Sequence, residues 1–464
     1  MQRWNEHAAA AGFWLLVAIL AWAPFPLGSA RQWSTALLIL LLAVCWALWV
    51  VSVWSDLEKP ARFAKRLWLP ITLGALALGW GVVQSLPIVP PDWVHPIWPL
   101  AADTLGRPLE GAISLNPWRT MFEVLKLSSF AGAAWLACNL GSTSARAERL
   151  LDAVIAIGAF YAAYALALWT FGILQFELFY STVPVGKFMA GPFVLHNSYA
   201  TFAGLCSLAA VARLYDVGAK RVIVGRGFRP WLLSVSQYLF GRGAFYAVAF
   251  VLAFSSVIFS ASRAGFASTL LGLFVMLVLS LRLSSRRSTM WMTTGAALVA
   301  AVVVVLLFNA SGDTMQARLN MFVQAGGPDS VRLLAWASAE RMISDAPLLG
   351  LGLGSFEYAY PLYGSQVIPF VLDKAHNDWL ELAAGWGLPA AIAWWIAMAC
   401  LIGLCLRALF TRRRDRIYPL LAIGASALVA AHAAFDFSLQ IPAVSMMYAT
   451  ILGLGVGQAF STRM

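Results

Sequence analysis

Charge is what this chain has least of. Only 11% of its 464 residues are Asp, Glu, Lys or Arg while 61% are hydrophobic, and that excludes a soluble domain of this length. Cysteine is scarce as well. All five (Cys45, Cys138, Cys206, Cys400, Cys405) fall inside apolar runs, so neither a disulfide framework nor a zinc site is expected. The one acid-x-acid pair, Asp56-Leu57-Glu58, stands among Lys59, Arg62, Lys65 and Arg66, which argues against a metal site for a nucleotide-sugar donor. Gly350-Leu351-Gly352-Leu353-Gly354-Ser355 is glycine-rich, but no Gly-Lys-Ser/Thr follows, and Ser355 stands where a dinucleotide fingerprint wants glycine. A tight backbone turn after Pro347 is expected there, and no cofactor or metal is implied.

What the chain has in abundance is long apolar runs. A helix needs about 20 such residues to cross a bilayer. Twelve candidate spans lie near 10 to 28, 33 to 54, 67 to 87, 119 to 140, 150 to 173, 193 to 214, 243 to 262, 265 to 283, 289 to 308, 388 to 408, 417 to 435 and 443 to 460. The expected fold is an all-α polytopic membrane protein, with residues 1–464 forming one integral membrane domain. The first run is followed by Gly28-Ser29-Ala30, a weak signal-peptide pattern, and is read as an uncleaved helix.

Basic residues set the orientation, since Lys and Arg in short loops stay cytoplasmic. With the N-terminus inside, that side collects Arg3; Lys59, Arg62, Lys65 and Arg66; Arg146 and Arg149; Arg213 through Arg242; Arg282, Arg286 and Arg287; Arg407 through Arg416; and Arg463. Both termini are therefore expected in the cytoplasm. The net charge of +11 is a topology signal rather than a nucleic-acid footprint, because it is spread over many short loops.

The outer segments are unequal. Residues 28–32 make a tight turn, and 88–118 are rich in Pro and Trp, suiting an interfacial aromatic belt. Residues 174–192 carry Lys187. The fourth segment, 309–388, lies between the ninth and tenth spans and is far longer than an ordinary connection. Helical periodicity marks Ser330 to Ser344, and a second helix begins at Asp378. Asp378 and Glu381 have capping-box spacing, which puts His376 just outside a helix N-terminus. The partial positive charge there disfavours imidazolium and leaves a ring able to accept a proton.

Arg263 sits where two spans meet almost without a loop, and an arginine at that depth calls for an anionic partner. Arg318, Arg332, Arg341 and Lys374 share the long loop, with Lys187 in its neighbour. Cations converging on one face suit a phosphate-rich ligand. His432 and Asp436, four apart in the eleventh span, share a helix face and form a second intramembrane candidate.

These residues resemble a known family. Pro347-Leu348-Leu349-Gly350-Leu351-Gly352-Leu353-Gly354-Ser355-Phe356, then His376-Asn377-Asp378-Trp379-Leu380-Glu381, then Gly385-Trp386-Gly387-Leu388-Pro389 are similar to the signature of the O-antigen ligase and polymerase superfamily. Ser330-Val331-Arg332 with Trp336, Ser260-Ala261-Ser262-Arg263, and Gly191-Pro192-Phe193 with Asn197 also fall where that family carries motifs. Lys187 and His196 depart from the pattern, since relatives often have Arg, and Pro or Arg, at those places.

The resemblance implies glycosyl transfer in the periplasm from an undecaprenyl-pyrophosphate-linked glycan to a hydroxyl, with the lipid A core as the acceptor of a ligase. His376 would be the base. Arg263 and Arg332 would clamp the pyrophosphate, with Lys187 and Arg318 behind them and Asn197, Asn377, His432 and Asp436 in support. The motifs separate ligase from polymerase poorly, so an O-antigen or exopolysaccharide polymerase using the same donor is the close rival, and a protein O-oligosaccharyltransferase a more distant one. A transporter of the lipid-linked glycan fits less well, because neither internal repeats nor interrupted spans are visible.

Overall fold

A computed structural model describes residues 2–172, 188–221, 228–283, 330–364 and 371–460. Among them the regular structure is entirely helical. The predicted ninth span, 289 to 308, lies outside the described residues, as do Lys187 and Arg318.

The chain opens with α1 (Gln2–Trp22), α2 (Gln32–Val53), the short α3 (Glu58–Arg66) and α4 (Trp68–Ser85). Then come α5 (Ile97–Leu105), α6 (Pro117–Leu140), α7 (Ser144–Thr170), α8 (His196–Arg221), α9 (Phe228–Leu239), α10 (Arg242–Phe259) and α11 (Arg263–Leu283). The long loop contributes α12 (Ser330–Asp345), α13 (Phe356–Tyr363) and α14 (Asp378–Trp386) before α15 (Leu388–Thr411), α16 (Ile417–Ala433) and α17 (Pro442–Phe460) close the bundle. Eight of these, α2, α4, α6, α7, α8, α11, α15 and α17, are long and apolar enough to cross a membrane, and α10 and α16 are apolar but shorter. The first predicted span ends sooner than expected. Pro24 and Pro26 stop α1, and Leu27, Gly28 and Ser29 turn the chain with positive φ.

Small residues let the spans close on one another, the usual device where water supplies no drive for helix association. Gly453 and Gly457, spaced four apart on α17, lie directly on the α6 backbone at Ala134 and Cys138, where a Cβ would collide. Gly272 of α11 packs in the same way on the backbone of Gly424 in α16.

The described part of the long loop is a cap with its own small core, in which Ala335, Ala339 and Met342 of α12 meet Phe356 and Tyr360 of α13 and Ala384 of α14. Trp386, fully buried with Leu353, Val124 and Ala77, joins cap to bundle. The segment 88–116 keeps several apolar side chains exposed, among them Ile88, Leu100 and Leu105.

Candidate active site

Local sequence explains how the cap presents its histidine. Asn377 is the N-cap of α14, its side-chain oxygen accepting the Leu380 N–H at 3.1 Å. The helix is thus capped one residue earlier than the spacing of Asp378 and Glu381 implies. Glu381 still reaches back, but to the Ala375 N–H at 2.8 Å. Between these two anchors His376 adopts a left-handed backbone, φ 52°, a conformation that non-glycine residues hold only where their surroundings enforce it.

The imidazole stands edge-on to Phe437, ring centroids 4.9 Å apart, with Nδ1 3.3 Å from Asp436 Oδ1. Asp436 is fully buried. Burial opposes ionisation of its carboxyl, but the His376 hydrogen bond and the neighbouring His432, His376 and Arg332 outweigh it and bring the carboxyl down to about 2. A carboxylate can only accept, so the bond selects the Nδ1–H tautomer of His376 and leaves Nε2 as a proton acceptor. The second carboxylate oxygen faces Arg332 Nη2 at 3.9 Å.

The N–H of Asp436 donates to the His432 carbonyl at 3.0 Å, so the i,i+4 relation that the spacing predicts is kept in the backbone. α16 ends at Ala433, and the chain turns so that Asp436 points toward the cap. His432 stays in the wall of the bundle, its Nδ1 3.1 Å from both Thr201 Oγ1 and Ser438 Oγ. Asn197 lies in the first turn of α8, the helix that supplies Thr201, and is half-buried. Arg263 begins α11, also half-buried, at the same end of the bundle.

Two of the cations grouped by sequence have other duties. Lys374 is buried and pairs with Glu381 at 3.3 Å. Burial alone would push its ammonium down, but Glu381 and Glu123 outweigh it and hold it above the ordinary lysine value. Arg341 donates to the Tyr363 carbonyl at the end of α13. Lys374 is therefore taken up inside the cap, while Arg341 stays exposed and holds the end of α13.

Sequence reasoning passed over a buried polar lattice beneath the histidine. Glu123 of α6 binds Lys126 at 2.5 Å and Arg119 at 3.1 Å. Asp378 accepts from Gln440 Nε2 at 2.9 Å and from the Leu439 N–H at 3.3 Å, tying the His376 turn to the Asp436 turn. Burial pushes the Asp378 carboxyl up to about 8, against those hydrogen bonds. Acid and base three apart in the middle of a span, as in Glu123 and Lys126, were the signal available.

The glycine run is a turn, as its sequence predicts. Leu351 and Gly352 donate to the carbonyls of Ala384 and Gly385, and the Gln84 side chain bridges Leu349, Gly385 and Leu353. Gly352, at φ 99°, has no room for a Cβ beside Ser114. The run thus fastens α14, and with it His376, to α4 and the start of α6.

Residues 248–395, from α10 through the cap into α15, match the family model described as O-Antigen ligase. That segment carries an O-antigen ligase family domain. Among curated proteins none matches the chain. The matched segment carries Arg263, Arg332 and His376. The domain match together with the apolar helices supports a multi-pass membrane protein of O-antigen ligase or polymerase type.

Proposed function

We propose that this protein is an O-antigen ligase, moving a glycan from undecaprenyl pyrophosphate to a hydroxyl of the lipid A core. The observation that carries the reading is the His376–Asp436 pair with Arg332 on the same carboxylate. A sugar hydroxyl is a weak nucleophile. His376 Nε2 takes its proton as the oxygen attacks the anomeric carbon, and Asp436 stabilises the imidazolium that forms. The bond from that carbon to the phosphate oxygen breaks, and the pyrophosphate leaves as an anion. Arg263 and Arg332 take up its charge in place of a metal ion, with Lys187 and Arg318 as further cations. A single displacement inverts the anomeric centre. His432, Asn197 and Asn377 support the site from behind, Asn377 by capping α14.

The distribution of basic residues supports an inner-membrane protein with both termini cytoplasmic and the site, at the opposite end of the bundle, facing the periplasm. Purified protein given lipid-linked glycan with and without rough lipopolysaccharide tests the reading. Glycan on lipopolysaccharide is the expected product. Lengthened lipid-linked chains without the second acceptor would make the protein a polymerase instead.

A further inference from the structure

His376 and Asp436 reach one another from separate turns. Their contact, at 3.3 Å, is longer than the usual N–H to oxygen bond of about 2.9–3.0 Å, a weak fastening for two turns that must stay in register. Other bonds have to set the distance.

Two residues past the histidine, buried Asp378 spends both carboxyl oxygens on the opposite turn. Oδ1 accepts from Gln440 Nε2 at 2.9 Å and Oδ2 from the Leu439 N–H at 3.3 Å. Gln440 stands four residues past Asp436, at the end of a single 3-10 turn, Ser438–Gln440. Among the described residues, these two bonds are what joins the turns besides the His376–Asp436 contact itself.

Each side of this joint is fastened to a different body. On the histidine side Asn377 caps α14 and Glu381 accepts the Ala375 N–H, while Trp379 Nε1 donates to the Ala430 carbonyl of α16, ahead of the turn, at 3.2 Å. On the other side the Gln440 carbonyl accepts from Lys126 Nζ at 3.4 Å, and the Leu439 carbonyl from Ser445 Oγ. Lys126 is itself buried and paired with Glu123 on α6. The lattice beneath the histidine thus runs from α6 through Gln440 to Asp378 and ends two residues from the imidazole.

We propose that Gln440 is a positioning residue for the transfer: through Asp378 it sets the contact of His376 with Asp436, and so keeps Nε2 unprotonated and placed to take the acceptor's proton. The inference rests on His376 being the base in the proposed reading and adds what holds it there. Without the Gln440 bond the cap turn drifts, and a displacement of about 1 Å at a reacting group costs about 10²-fold in rate. A ring that leaves Asp436 also reverts to the Nε2–H form that free imidazole prefers, because the partner of one ring nitrogen fixes the proton on the other.

The test uses the full-length protein in lipid nanodiscs, with isotope-labelled histidine read by nitrogen NMR and the His376 signals identified by their absence in His376→Ala. At mildly alkaline pH, where free imidazole is neutral, wild type should show His376 protonated at Nδ1. Gln440→Met keeps the length of the side chain and removes the donor. It should shift His376 toward the Nε2–H form and lower kcat about 10–100-fold, with KM little changed. Gln440→Glu should do the same by setting two carboxyls face to face. Exchanging the pair, Asp378→Asn with Gln440→Glu, rebuilds both bonds, since the introduced amide donates to the introduced carboxylate and its oxygen still accepts the Leu439 N–H. Tautomer and kcat should then recover most of the loss, which a general weakening of the fold would not do. Where Gln440→Met does not fold, Gln440→Glu against the exchanged pair carries the same comparison. Wild-type His376 in the Nε2–H form, an unchanged tautomer or kcat in the single variants, or a loss that the exchanged pair fails to recover would overturn the assignment. The tautomer needs no turnover, so a response as predicted in a protein that transfers no glycan to lipopolysaccharide would sink the ligase reading and leave the joint standing.

Discussion

Replacing Asp436 by Asn tests the hinge of the site, because it preserves shape and removes one charge. The carboxyl is fully buried, its Oδ1 meets His376 Nδ1 at 3.3 Å and accepts the Phe437 N–H at 2.8 Å, and Arg332 stands 3.9 Å from Oδ2. Folding lowers its value from 3.8 to about 2. At about 1.4 kcal/mol per unit, that is roughly 2–3 kcal/mol of stability at neutral pH. Because the folded value is the lower one, this stability is present above pH 4 and disappears as pH falls toward 2. Asp436→Asn should melt below wild type at pH 7, with the gap narrowing as the acid limb is approached. The effect on rate should be larger. An amide can present N–H to the ring and so favour the tautomer with Nε2 already protonated, costing about 10²–10⁴ in kcat. The assay is glycan transfer by purified protein, normalised to the folded fraction, with melting followed from pH 7 to pH 3. A variant that keeps both wild-type kcat and the wild-type acid limb would refute the claim that Asp436 orients His376.

Arg332→Ala should lower transfer by about 10²-fold, the scale for losing one charge-stabilising donor, while melting hardly moves; a large drop in melting temperature with kcat intact would make it structural. Glu381→Ala removes the ion-pair partner of buried Lys374, leaving it the more remote Glu123 and Asp373, and strips the Ala375 N–H of its acceptor, so about 3 kcal/mol should be lost, with Glu381→Gln recovering part of it through the same hydrogen bond; chemical denaturation measures both. Gly352→Ala, forced into φ 99° against Ser114, should cost about 1–3 kcal/mol and reduce the yield of folded protein from membranes. Arg213, buried among Glu148, Asp152 and Asp216, lies at the far end of the bundle. Arg213→Met should cost about 2 kcal/mol, less than a fully buried pair because Glu148 and Asp152 keep contact with water, and kcat per folded molecule should not change.

Apolar length made the spans legible, and for eleven of the twelve predicted runs a described helix stands in place. Where boundaries slipped, the cause was local chemistry that hydropathy does not weigh, such as Pro24 and Pro26 ending α1. The cap helix over Ser330–Asp345 was readable from its periodicity, and the turn after Pro347 from its glycines. His376 and Arg332 stood out because polar residues are conspicuous in an apolar chain. The meeting of His376 with Asp436 was not readable. Sixty residues separate them, and i,i+4 spacing relates Asp436 only to His432, whereas just past the end of α16 its carboxylate also reaches the cap. Lys374 looked like a ligand-binding cation for the same reason, since its partners Glu381 and Glu123 approach it only through the fold.

The central claim is that His376 removes the acceptor's proton. Its most direct test is the rate of glycan transfer from lipid-linked donor to rough lipopolysaccharide by purified His376→Ala, compared across pH with wild type at matched folded fraction. The account predicts transfer reduced by about 10²–10⁴, with donor binding retained and the pH dependence contributed by the histidine gone. Transfer at the wild-type rate, with the wild-type pH profile, would contradict it.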